Sequence, residues 1–536
     1  MAYRALLAFI ISILILVLYN YFFPPQKPAV KKHKPASSSV QKQEKDKPKE
    51  EKYVSLLPTS VEKPHKSIAL GKEITVSTPL YQTVFYESGA MIKSFILKKY
   101  RQDVAPNSPP QELICTEPPY LPLGIDFLQH KNFAETVKFQ ADKHTLNLSS
   151  QDTPQSLTFT AEINGIIIKK TFIFYPNSYK IDFNLSLINQ TADFFQDNLA
   201  ISLANKWPKR ERYGFYGGII LINGQFEEIK WKKIKSQIVK SGKIQWAGLS
   251  DKYFTTTIVN KDVKKASFII DRQKELILAK MLLPPIEVQP QKRKTISFLL
   301  YFGPKELDRL KKLGFHLDKA VDFGFFDIIA KPLLYALKWF YKFVHNYGIA
   351  IILLTVVIKI LFWPLTHTSY KSMQEMQKLQ PHINRLREKY KDDKEKLNKE
   401  LMNIYKTYKV NPLGGCLPMI FQIPVFFALY KALLYAIELR HANFITYLPF
   451  THKIWLADLS AKDPYYITPI LMGISMVIQQ KMTPSAMGPG QSKFMLLMPV
   501  FFTFLFLNFP SGLVLYWLVN NLLSIVQQFY INRKMQ

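Results

Sequence analysis

Near its start the sequence runs for 19 residues without a charge, from Ala5 to Phe23 (ALLAFIISILILVLYNYFF). A helix rises 1.5 Å per residue, so about 20 such residues cross the roughly 30 Å hydrocarbon layer of a bilayer. Arg4 and the run fit the first two parts of a cleavable signal peptide. The run ends in Tyr-Asn-Tyr-Phe-Phe-Pro-Pro rather than in a small-x-small cleavage site, so residues 1–23 are read as a retained anchor. Five more candidate spans lie downstream: Tyr347 to Leu365, Leu413 to Ile437, Tyr465 to Gln480, Phe494 to Phe509, and Ser511 to Tyr530. The expected class is a polytopic α-helical membrane protein with six spans.

Composition narrows what lies between the spans. The chain carries 71 Lys and Arg against 40 Asp and Glu, a formal charge of +31, yet 48% of its residues are apolar. Disordered chains lack that apolar content, and a basic balance points to an anionic membrane surface or nucleic acid. Residues 24–52 are rich in Lys, Pro, Ser and Gln with hardly an aliphatic side chain, which reads as a disordered tether. No aromatics interleave its lysines to stack on bases, so no specific nucleic-acid partner is expected. Residues 53–316 change to short β-branched and aromatic runs. In Tyr179 to Leu187, Tyr179, Ile181, Phe183, Leu185 and Leu187 alternate with polar neighbours. Gly165 to Tyr175, Ala266 to Ile270 and Thr295 to Phe302 read likewise, and together they predict a large extracytoplasmic antiparallel β-sandwich domain. Two cysteines, Cys115 and Cys416, build neither a disulfide framework nor a zinc pattern. HExxH, Walker and nucleophile-elbow motifs are absent, so neither an enzyme nor a cofactor is expected.

Helical spacing returns after Pro304. In residues 317–346, Leu333, Leu334, Leu337, Phe340, Tyr341 and Val344 share one face with Lys331, Lys338 and Lys342 beside it. That pattern suits a helix in the membrane interface, apolar side down and lysines toward head groups. Residues 347–536 form a five-span core. Its loop 367–411 holds eleven Lys and Arg, whereas the loop from Glu438 to Pro464 has Arg440, Lys453 and Lys462 offset by three acids. The asymmetry puts both termini and the basic loop in the cytoplasm and the β domain outside. The lysine-rich tether cuts against this, but long translocated domains largely escape the rule. Within the loop, Met373, Met376, Leu379, Ile383 and Leu386, then Leu397, Leu401, Ile404 and Tyr408, recur at three to four residues. They predict a cytoplasmic helical hairpin that could dock an arriving protein.

Polar residues inside the spans are the functional candidates. A mid-membrane lysine costs roughly 2.5–3.5 kcal/mol, so Lys359 needs a wet cavity, a partner or a snorkelling route to the interface. Thr355 lies one turn before it, Gln422 early in the third span, and Ser475 and Gln479 pair at i, i+4 in the fourth. On the sixth, Trp517, Asn521, Ser524 and Gln528 form one stripe with Asn520 and Gln527 beside it. Singly, each fits an interhelical hydrogen bond. Together they fit a groove open to the cytoplasm and closed to the outside, which completes no pore. Lys431, near the outer end of its span, reads as an interfacial anchor. Such a groove suits passage of another protein's hydrophilic flank while its apolar segment slides into lipid. A transporter or channel for a small anionic solute, with Lys359 as counter-charge, is the alternative from another class. An envelope scaffold using the β domain is the third reading.

Several runs are also those of a known family. Lys409-Val-Asn-Pro-Leu-Gly-Gly-Cys-Leu-Pro followed by Gln422-Ile-Pro-Val-Phe-Phe-Ala-Leu-Tyr430, Asp463-Pro-Tyr-Tyr-Ile-Thr-Pro-Ile-Leu-Met-Gly473 and Phe509-Pro-Ser-Gly-Leu-Val-Leu-Tyr516 resemble the YidC/Oxa/Alb membrane protein insertases. The likeness covers roughly Leu317 to Ile531, and the anchor plus outer domain is similar to the Gram-negative form. It implies insertion and folding of nascent proteins at the inner membrane, alone or beside Sec translocon components, with the lipid bilayer and the ribosome as further partners. It also implies a sugar-binding-like β supersandwich that need not bind sugar. The family's groove arginine is matched by Lys359, which keeps charge but not bidentate bonding. By position, Gln422, Tyr516 and Trp517 join the groove, with Trp517 also open to a packing role. The tail after Tyr530 is six residues, little of the basic extension that ribosome binding uses in some members.

Overall fold

The computed structural model describes residues 71–130, 138–207, 214–261, 265–408, 410, 417–482 and 489–535. The expected anchor and tether, residues 1–52, lie outside them, as do residues 53–70 of the expected β domain.

The outer region is built of three sheets of five, nine and five strands. At the middle of the largest, Lys180–Asn189 pairs antiparallel with Ile166–Phe174 on one side and Arg293–Pro304 on the other. The alternation read from the sequence is the alternation of burial: Ile181, Phe183, Leu185 and Leu187 are fully covered. Phe183 stacks on Phe172 with ring centroids 4.8 Å apart, and on Phe298 at 5.7 Å. All four strand segments predicted from alternation are strands. The expected all-antiparallel pairing needs one correction. Thr75–Ser77 runs parallel to Thr145–Asn147. Three residues carry no readable period, and a partner about 70 residues away leaves no local trace.

Among the described residues the α-helices begin with α1, Leu307–Leu313, which buries Leu307 and Leu310. Helix α2, Asp327–Val344, has the helical period read from the sequence. Ala330, Leu334 and Leu337 are buried, and the helix packs against α3, Tyr347–Leu361, and a later helix. The face predicted to lie on lipid is therefore largely a protein-packing face. The large apolar residues left uncovered are Phe325 and Ile328 at its start, then Tyr335, Trp339 and Phe343. Lys331 and Lys338 turn to carboxylates: Lys331 to Asp327, and Lys338 to Asp308 and Glu438. Periodicity reveals an apolar face but not what covers it.

Helix α3 continues into α4, Trp363–Lys378, through a 61° bend. Pro364 supplies no N–H to the carbonyl of Ile360 four residues earlier, which is the ordinary cause of such a bend. The basic hairpin is thus an extension of the second predicted span. Its first arm is the end of α4 with α5, Gln380–Lys389, and its second is α6, Lys394–Thr407. Asp393 caps α6 by accepting the Lys396 N–H at 3.0 Å. Met376, Leu379 and Ile383 pack with Leu401, Ile404 and Tyr405 into a small separate core. Tyr408, expected on that face, is 52% exposed.

The remaining helices are α7, Leu417–Tyr435, α8, Ile467–Met482, α9, Pro489–Phe506, and α10, Ser511–Met535. Helix α10 lies against α3 and α8, α8 also against α9, and α2 against α7. Among the described residues no single helix is long and apolar enough to cross a bilayer, though the bent α3–α4 pair is. The physical reason is visible in the elements themselves. Helix α8 has 16 residues, and the 25 residues of α10 include the polar positions singled out from the sequence.

Candidate functional site

Three loop devices hold the helices that carry the polar residues. Asn346 caps α3, its side-chain oxygen accepting the Ile349 N–H at 3.1 Å and its amide donating to the Phe444 carbonyl at 3.0 Å. Asp463, 1% exposed, accepts from the Trp455 indole at 2.9 Å, the Thr468 backbone at 2.7 Å and the Thr468 hydroxyl at 2.8 Å. A carboxylate so placed satisfies donors at the head of α8 and complements its dipole. Ser511 and Gly512 start α10 by donating backbone N–H groups to Ala461 and Leu459. The Asp463 and Phe509–Gly512 motifs are thus the fittings that set α8 and α10 side by side.

Successive residues on a helix are about 100° apart. That angle splits the α10 stripe predicted from the sequence into two flanks. On one, the Lys359 ammonium at the last turn of α3 donates to the Ser524 hydroxyl at 2.6 Å, and Ser524 donates to the Asn520 carbonyl at 2.7 Å. Gln422 of α7 donates to the Asn520 side-chain oxygen at 3.2 Å. On the other flank, Asn521 donates to the Ser475 hydroxyl of α8 at 3.1 Å, and Gln528 donates to the Met482 carbonyl. Ser475 in turn donates to the Met472 carbonyl, a partner set apart from that of Lys359. Among the described residues no carboxylate lies within ion-pair distance of Lys359. Its position near the C-terminal end of α3 favours a cation there, and part of its surface stays reachable for a polar guest.

The other predicted residues separate. Thr355 is 1% exposed and its hydroxyl bonds back to the Ile351 carbonyl at 2.6 Å, one turn from Lys359. Gln479 hydrogen-bonds Tyr370 of α4, a buried tyrosine that the sequence assigned to the cytoplasmic loop and so overlooked. Tyr516 is fully buried. Trp517 packs edge-on against Phe426 at 4.8 Å and beside Phe506 at 5.3 Å. Lys431 lies over the Tyr435 ring at 5.1 Å. The arrangement brings Lys359, Gln422, Asn520 and Ser524 together from three helices otherwise rich in apolar residues. Ser475 and Asn521 form a second pair behind α10.

Comparison with known proteins fits this division. A model described as the YidC periplasmic domain matches residues 73–336, and one described as a 60Kd inner membrane protein matches 339–536. The membrane protein insertase YidC of Syntrophus aciditrophicus is 43% identical over 99% of each chain. This chain belongs to the YidC family. The YidC of Geobacter metallireducens is 42% identical over 99% of this chain and 98% of its own. A crystal structure of an active YidC insertase with its first transmembrane domain resolved aligns over 86% of this chain and 92% of that one. Its TM-score is 0.38 and its identity 19%, so family membership rests on the sequence relatives. The YidC family is an inner membrane family with a periplasmic domain, and the junction between the two matched regions falls in α2.

Proposed function

We propose that this chain inserts newly made proteins into the inner membrane and assists their folding, alone or with Sec translocon components. The observation that carries the reading is the Lys359–Ser524 bond at 2.6 Å: a cation from an apolar helix held on a polar flank of its neighbour, beside Gln422 and Asn520. The proposed site comprises Lys359, Thr355, Gln422, Asn520 and Ser524, with Ser475, Gln479 and Asn521 lining its back. The proposed topology has six spans, both termini and the basic hairpin in the cytoplasm, and the β domain in the periplasm. Its support is the lysine and arginine asymmetry of the loops.

In this mechanism the hairpin receives a nascent protein and its polar flank enters the groove. Lys359 attracts an acidic flank and shortens the apolar path the flank must cross. The apolar segment then leaves sideways into lipid. About 20 Leu-like residues at roughly 0.3–0.6 kcal/mol each offset two or three flank charges at roughly 2.5–3.5 kcal/mol each, so no nucleotide is required. Thr355 and Gln422 keep the wall beside Lys359 polar without adding charge.

The test is insertion into liposomes containing only this purified chain. A short single-spanning protein with an acidic N-terminal flank is translated outside and scored by protease protection. Wild type and Lys359→Arg should protect equally, and Lys359→Ala about tenfold less, the equivalent of about 1.4 kcal/mol. Equal protection in all three would reduce Lys359 to a snorkelling residue. No protection above empty liposomes, where a known insertase succeeds, would end the autonomous reading.

A further inference from the structure

On α10 most polar side chains find partners; the buried Tyr516 hydroxyl, the Trp517 indole N–H and the Gln527 amide do not, and of these three Gln527 alone leaves two polar atoms unpaired. Asn520 accepts from Gln422, Ser524 accepts from Lys359, Asn521 donates to Ser475, and Gln528 donates to the Met482 carbonyl. Gln527 is 0% exposed, and neither its amide nitrogen nor its oxygen meets a hydrogen-bond partner. Seven residues at about 100° each place it within about 20° of Asn520, on the flank that faces Lys359 and Gln422. It lies about 4.5 Å further along the axis than Ser524, toward the end that the proposed topology puts in the cytoplasm.

A buried amide left unpaired costs about 1–3 kcal/mol, and lipid around the bundle supplies no partner. The cost cannot be assigned to general misfit of this turn, because Gln528 beside it is equally buried and is bonded. The guest must both donate and accept, and must be small, since no surface of Gln527 is open to a chain. Water meets both requirements.

We infer that Gln527 binds a buried water that links the Lys359–Ser524 layer to the cytoplasmic face. Gln527 is then a positioning residue for groove hydration: it keeps the ammonium of Lys359 in contact with water while nothing occupies the groove. This rests on the groove reading proposed for the function and names the residue that wets it.

Modification chemistry in inverted membrane vesicles carrying the full-length chain tests it. Cys115 and Cys416 are replaced by serine, Lys359→Cys is introduced, and a charged, membrane-impermeant thiol reagent is added from the cytoplasmic side. Gln527→Met, close in length and shape but apolar, should slow modification at position 359 about tenfold, the worth of one hydrogen-bonded link. Gln527→Asn, which keeps the amide, should restore most of the rate. Equal rates with Gln527 and Gln527→Met would overturn the water site and leave the groove standing. Equal slowing by Met and Asn would overturn it too, since shape and not hydrogen bonding would then be at stake. Absence of modification in every variant would overturn the site and the hydrated groove together.

Discussion

Lys170 occupies an inward position of the strand Ile166–Phe174, where its neighbours Ile168 and Phe172 are core residues. It is 0% exposed and its ammonium donates to the carbonyls of Gly89 at 2.6 Å and Leu123 at 2.8 Å, with the Phe139 ring 5.2 Å away. Burial pulls its pKa down to about 7. In the unfolded chain a lysine titrates near about 10.4. Between those values the unfolded chain binds the extra proton and the folded one does not. The fold therefore gains stability as pH rises from about 7, by about 1.4 kcal/mol per unit, until the unfolded lysine also deprotonates. Below pH 7 both states are charged and this contribution is flat. Thermal unfolding of the β region in the full chain at about pH 7.5 and about pH 9.5, compared with Lys170→Met, reads the effect. The wild type should gain relative to the variant as pH rises. Parallel responses would mean that the two carbonyls hold the charged form as well as water does.

At the scale of elements, Gly348 fixes how α3 meets the loop before α8. A Cβ there would stand 2.1 Å from the Phe444 ring, and Asn346, two residues earlier, bonds the Phe444 carbonyl. Gly348→Ala should cost about 1–3 kcal/mol by overpacking, and Phe444→Ala should restore part of that loss in the double variant. Thermal unfolding of the two singles and the double measures it, and strict additivity would place the cost elsewhere. Elements of this kind mark the limit of what the sequence made legible. Alternation in Lys180–Asn189 was readable because one face of a strand meets a core and the other water. The polar set on α10 was readable because amides and a lysine are conspicuous among leucines. The split of α10 into a Lys359 flank and a Ser475 flank was not, since positions 521 and 524 are only about 60° apart and the side on which each neighbour lies is a tertiary fact. The protein that covers Leu334 and Leu337 of α2 was hidden for the same reason. The ring contacts of Trp517 with Phe426 and Phe506 were likewise beyond the sequence's reach, being tertiary.

Across the described residues, Arg440 ties the β region to the helical core, and Lys338 ties α1, which follows the last strand of that region, to α2 and the end of α7. Arg440, just beyond α7, donates to the Gln102 carbonyl at 3.2 Å and the Gln111 side chain at 2.9 Å, and lies 5.2 Å from the Phe254 ring. Lys338 of α2 bridges Asp308 of α1 and, at 3.0 Å, Glu438 after α7. Regions joined by a modest polar seam move relative to one another by default, so these ties decide whether the two parts act as one body. Each is worth about 1 kcal/mol or a little more, because partly exposed ion pairs are weak and a cation over a ring adds about 0.5–2 kcal/mol. Since they restrain the same motion from two points, either alone should suffice. Arg440→Ala and Lys338→Ala should each leave an electron-spin distance distribution between labels at Lys294 and Lys453 nearly as narrow as in the parent. The double variant should broaden it and speed proteolysis near Gly314. A distribution as narrow in the double variant as in the parent would transfer the tie to the apolar contacts of Leu310 and Leu334. In that case the β region would hold the outer ends of α2 and α7 through packing alone, and its grip would fade on cooling rather than on adding salt.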